Sequence, residues 1–66
     1  MRIQPITEKE WIGLSLKEAI RKAESISYIH RIVEIDGKHM MLEMDAKSNR
    51  VNFRVKGDYI IAVYTG

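Results

Sequence analysis

Asp36-Gly37-Lys38-His39-Met40-Met41-Leu42-Glu43-Met44-Asp45-Ala46-Lys47-Ser48-Asn49 is the stretch on which the fold turns. In one reading Asp36-Gly37 is a tight hairpin turn and 38–44 is a strand, which gives a four-strand antiparallel meander plus a helix. In the other, 36–49 is mostly a long exposed loop, and the strands that flank it lie parallel. A loop of that length with no helix of its own is uncommon and is usually functional. Pattern alone tilts slightly towards the meander. Met40, Met41, Leu42 and Met44 divide the same way. Strand pairing sends alternate members into the core, whereas an open loop leaves them as a soft apolar surface of the kind that marks partner sites.

The flanks are less ambiguous. Residues 28–35 are rich in β-branched side chains. Residues 50–55 alternate, with Val51, Phe53 and Val55 on one face. Lys56-Gly57-Asp58 is a turn, and 59–64 forms a hairpin with the strand before it. Upstream, Ser15-Leu16-Lys17-Glu18 reads as a capping box, with Leu14 and Ala19 at the two positions of a hydrophobic staple. Leu16, Ala19, Ile20 and Ala23 then recur at helical spacing, while Lys17, Glu18, Arg21, Lys22 and Glu24 face water. This predicts a helix over 15–25, too short to stand alone and bound to pack on a sheet. Residues 1–13 read as an extended arm, in which Pro5 discourages helix and Trp11 covers one end of the core. The expected organisation is a single domain over 1–66, with the arm at 1–13, the helix at 15–25, and strands and loop at 28–64. The expected class is α+β, one helix on a small sheet of three to four strands, mixed if 36–49 is a loop and an antiparallel meander if 38–44 is a strand.

Composition narrows the function classes. The chain has 66 residues, 45% of them hydrophobic and 30% charged, and no cysteine. This is the make-up of a globular chain rather than a disordered one. A thin core leaves little room for a buried catalytic cavity. Without cysteine there is no thiol nucleophile, disulfide or cysteine–histidine zinc site. His30 and His39 lack metal-ligand spacing and read as solvated or sheet-edge side chains. Ser15, Ser25, Ser27 and Ser48 lack a G-x-S-x-G setting. The glycines at 13, 37, 57 and 66 are too scattered to cradle a phosphate. The carboxylates Glu34/Asp36 and Glu43/Asp45 alternate and read as solvated. No enzyme, cofactor or metal is expected. A net charge of +2, spread along the chain, does not read as a nucleic-acid face. The first residues carry no signal-peptide core and no run has membrane-spanning length, so no membrane is expected and the chain reads as cytoplasmic.

Several segments, in order and spacing, resemble the potato inhibitor I family of serine-protease inhibitors, its bacterial relatives most closely. They are Glu10-Trp11 before the helix, Ser15-Leu16-Lys17-Glu18-Ala19 at its start, Arg31-Ile32-Val33, Met44-Asp45-Ala46-Lys47-Ser48-Asn49-Arg50-Val51-Asn52-Phe53, and Ile60 through Val63 with Gly66. The resemblance implies a potato-inhibitor-I-like fold, one helix on a small mixed sheet of three to four strands with the meander as the alternative, and a loop of about 40–49, held in a substrate-like shape and presented to a subtilisin- or chymotrypsin-like enzyme. Met44 would fill the primary pocket, and Asp45 would follow the scissile bond. Leu42, Glu43, Ala46 and Lys47 would complete the contact surface. Arg50 would brace the loop from beneath and meet Gly66, with Asn52 beside it. Glu43 departs from the family's small hydroxyl residue at its position, and Asn52 stands where plant members carry a second bracing arginine. The alternatives are a non-inhibitory cytoplasmic protein-binding module, of regulatory or phage type, and a homo-oligomer paired through the edge strand at 59–64.

Overall fold

The computed structural model describes residues 6–42 and 45–66. Among these, one α-helix, α1 (Leu16–Ser25), packs on a mixed sheet of β1 (Ile29–Ile35), β2 (Lys38–His39), β3 (Arg50–Lys56) and β4 (Tyr59–Thr65). The sheet order is β2-β1-β3-β4. Strands β1 and β3 run parallel, and the other neighbouring pairs are antiparallel. The antiparallel meander does not form. Asp36-Gly37 does make the hairpin, with φ of 49° and 83° at the two central residues, the sign a primed two-residue turn requires. The strand it starts ends at His39, not at residue 44.

Both ends of α1 are closed by local chemistry. Ser15 Oγ accepts from Glu18 N–H at 3.2 Å, and Ser15 N–H donates to Glu18 Oε1 at 3.1 Å. These bonds hold the Glu18 carboxyl below its ordinary 4.5, the Ser15 backbone contributing most. At the other end the N–H groups of Ser27 and Tyr28 donate to the carbonyls of Glu24 and Ala23, the double bond of a Schellman stop. Ser27 takes the left-handed position there, at φ 63°.

The stripe that α1 lays on the sheet is narrow. Ala19 and Ala23 are fully buried, flanked by partly buried Leu16 and Ile20. Opposite lie Val51, Phe53 and Val55 of β3 with Ile60 and Val63 of β4. Trp11 caps this core, 1% exposed, its ring centroid 5.7 Å from that of Phe53. Of the segment 1–13, expected as an extended arm, residues 1–5 lie outside the described residues, and the rest contains a 3-10 turn at Glu8–Glu10 that leads into buried Trp11. The chain then runs along the outer edge of β4. Gly13 N–H donates to Ile60 carbonyl, Ile60 N–H to Leu14 carbonyl and Leu16 N–H to Asp58 carbonyl, each at 2.9 Å. That covers the start of an edge strand which is otherwise open to pairing.

Strand β3 is buried on both faces. Val51, Phe53 and Val55 face the helix, yet Arg50 and Asn52 are buried as well. On that second face Asp45, from the connection between β2 and β3, closes over Arg50. Parallel neighbours need a crossover, usually a helix. Here the described residues of the crossover form no helix.

Candidate functional site

The crossover is pinned at its two roots. Met40 N–H donates to Val33 carbonyl at one end of β1, and Ile29 N–H donates to Asn49 carbonyl at the other, both at 2.9 Å. Between the roots, the described residues pair with no strand. Met40, Met41, Leu42, Ala46, Lys47 and Ser48 are all exposed, Met41 completely. The methionines at 40 and 41 therefore belong to the surface, not under the helix. Glu43 and Met44 lie outside the described residues.

A third point of attachment is electrostatic. Arg50, 6% exposed, donates from Nη2 to the Asp45 carbonyl at 3.1 Å and to Asp45 Oδ1 at 3.2 Å. Nη1 reaches Asp45 Oδ2 at 3.4 Å, a longer contact. Arg50 Nε donates the other way, to the Gly66 carbonyl oxygen at 2.8 Å. One planar guanidinium thus ties the loop's backbone to the end of β4, a geometry that suits its fork. The Arg50 bond, more than the charges of Arg50, Lys47 and Arg31, holds the Asp45 carboxyl below its ordinary 3.8.

Asn52 sits beneath this clamp, fully buried. Its Nδ2 donates to the Gly66 and Tyr64 carbonyls at 3.2 and 3.3 Å, and its Oδ1 accepts from Arg31 Nε at 2.7 Å. Arg31 in turn places Nη1 3.7 Å from Asp45 Oδ1. That Nη1 is buried without a hydrogen-bond partner among the described residues, so the nearby carboxylate offsets its charge. Asp45, Arg50, Gly66, Asn52 and Arg31 close into one ring of polar contacts between loop and sheet.

Four residues singled out from sequence, Asp45, Arg50, Asn52 and Gly66, therefore meet, while Leu42, Ala46 and Lys47 stay on the open side. From sequence, Arg31 is only part of the strand leading into the loop; in the fold it joins the ring. It supplies a second guanidinium beside Arg50, bonded to Asn52. Only register brings it there: in the parallel β1–β3 pair Arg31 stands directly beside Asn52.

A second polar group lies further along the same face. Glu34, expected to be solvated, is buried and accepts from Arg54 Nε and Nη2 at 3.1 and 2.9 Å. Its Oε1 lies 3.4 Å from Nε2 of His39, which is exposed on edge strand β2. Asp36 remains exposed but is not idle, since its Oδ1 accepts from Gly57 N–H at 2.9 Å and ties the two hairpin turns together. Among the described residues no group of histidines and carboxylates has the geometry to hold a metal ion. No helix among them is long and apolar enough to cross a membrane.

No protein-family model, curated protein or solved structure matches this chain.

Proposed function

We propose that the protein is a potato-inhibitor-I-like inhibitor that offers the loop at about 40–49 to a subtilisin- or chymotrypsin-like serine protease. The observation that carries this reading is the Arg50 clamp, which fixes the Asp45 carbonyl and carboxylate while anchored on Gly66. A loop held in one shape before docking loses little entropy on binding, and that saving is what converts a modest surface into affinity. The exposed Met40, Met41 and Leu42 give the loop an apolar approach suited to an apolar cleft. Met44 occupies the primary pocket in this scheme, and Asp45, Ala46 and Lys47 continue past the scissile bond.

The test is inhibition of subtilisin and chymotrypsin by the purified chain. Inhibition at micromolar concentration or below is expected. Its absence, together with unchanged partner binding by Met44→Gly, removes the reading.

A non-inhibitory protein-binding module on the same scaffold is the second reading. It is favoured by Glu43, which puts a charge where the family carries a small hydroxyl residue. Recovery of a defined non-protease partner that is lost on Met41→Asp would select it over the first. Tyr59, Ile61 and Tyr64 on β4 leave self-association as a further form of that module. Sedimentation as a monomer at high concentration excludes it.

A further inference from the structure

The chain carries its sulfur only in methionine, having no cysteine, and three of its four methionines fall at 40, 41 and 44. Of the two that are described, Met41 is 102% exposed and Met40 44%. Met40 is also held at its backbone, through the bond from its N–H to Val33. Trp11, the other easily oxidised side chain, is shielded at 1% exposure. Thioether oxidation follows access, and the sulfoxide is polar where the thioether was apolar. We infer that Met41 is an oxidation site, through which a peroxide converts the apolar surface of the loop into a polar one.

The chemistry is a two-electron oxygen transfer. The sulfur lone pair attacks one peroxide oxygen, the O–O bond breaks and an S–O bond forms. The departing oxygen takes up the proton and leaves as water. The sulfur is oxidised and the peroxide reduced, with no other reactant needed. The reaction leaves the Arg50–Asp45–Gly66 ring untouched, since no atom of Met41 takes part in it. The loop keeps its shape while its outward face changes character. The consequence for a bound protease rests on the proposed inhibitory role; the oxidation itself does not.

The test uses the full chain with hydrogen peroxide as the probe. Tryptic digestion and tandem mass spectrometry then place the added oxygen. Met41 sulfoxide should form faster than Met40 sulfoxide, in the order of their exposures. Equal rates, or faster oxidation at Met40, overturn the assignment. The species oxidised only at Met41, isolated by chromatography, should keep its helix signal and elute earlier from a hydrophobic-interaction column. Unchanged elution overturns the change in surface. Met41→Leu should lose this early-eluting species while Met40 still oxidises. Against subtilisin, the Met41 sulfoxide species should bind about tenfold more weakly than the untreated chain, the scale of one apolar side chain lost from a contact. Equal binding by the two overturns the switch. If the untreated chain does not bind subtilisin at all, the inhibitor reading falls, and the site is decided by oxidation order and elution alone.

Discussion

At the scale of single residues, Arg50 is the side chain that bonds both the loop at Asp45 and the end of β4 at Gly66. Replacing it with Ala leaves Asp45 short of its main donor and removes one of the two side-chain donors that serve the Gly66 oxygen. Losing such bonds costs about 1–3 kcal/mol. Applied to the closed loop alone, that raises its open population roughly 5- to 150-fold. Amide exchange reads this directly: the Ile29 N–H, bonded to Asn49 at the loop root, should exchange faster by that order, while the Ile60 N–H, bonded to Leu14, should change far less. Arg50→Lys should restore little, because an ammonium cannot hold Asp45 and Gly66 at fixed angles at once. Equal acceleration at both amides refutes a local brace. Asp45 carries the matching pH dependence. Its carboxyl titrates below 3.8 in the folded chain, chiefly through the Arg50 hydrogen bond. A group bound in its charged form contributes above its unfolded pKa and is lost as pH falls through the folded one. Loop protection should therefore hold from neutral pH down to about 3.8 and weaken as the pH falls further, the carbonyl bond from Arg50 to Asp45 persisting. Observed by NMR, the Asp45 midpoint should return towards 3.8 in Arg50→Ala; an unmoved midpoint counts against the clamp.

At the scale of elements, what could be read from sequence was whatever depends on near neighbours. The capping box of Ser15 and Glu18, the apolar face of β3 and the turns at Asp36-Gly37 and Gly57-Asp58 each follow from residues a few positions apart. The parallel pairing of β1 with β3 was open only as one of two readings, because it joins segments separated by the whole crossover. With it went the role of Arg31, which only register places beside Asn52. Glu34 was hidden by a second effect. Strict alternation sets Arg31 and Glu34 on opposite faces, but the register shift between Ile32 and Glu34 inserts Val33 and returns both side chains to the loop side. Arg50 and Gly66 were legible as partners only through the family resemblance. The helix stop yields a prediction of its own. Ser27 sits at φ 63°, where a side chain is strained and glycine is not. Ser27→Gly should stabilise the chain by about 0.5–1 kcal/mol, the strain relieved less the extra freedom glycine brings to the unfolded chain. Denaturant melts of the two chains decide it, and a loss of stability means the Ser27 side chain makes a contact worth more than its strain.

For the whole molecule, β3 is the shared wall of two layers, with α1 and the core on one side and the crossover on the other. The core side is thin: Trp11, Phe53 and Ile60 are the large side chains at its centre. A domain of this size has about 3–10 kcal/mol of stability in total. Phe53→Ala, which opens a cavity beneath Trp11, costs about 3–5 kcal/mol, enough to leave much of the population unfolded. Ile60→Val costs about 0.5–1.5 kcal/mol and should stay folded. The two layers can therefore be weakened separately. In Ile60→Val the midpoint of global unfolding should fall, while the loop root at Ile29 exchanges no faster than global opening demands. In Arg50→Ala the reverse should hold, with the root opening well before the core. If instead both variants speed Ile29 and Ile60 amides in the same proportion, loop and core open as one unit. The stiffness of the loop is then a property of the entire sheet rather than of its polar ring.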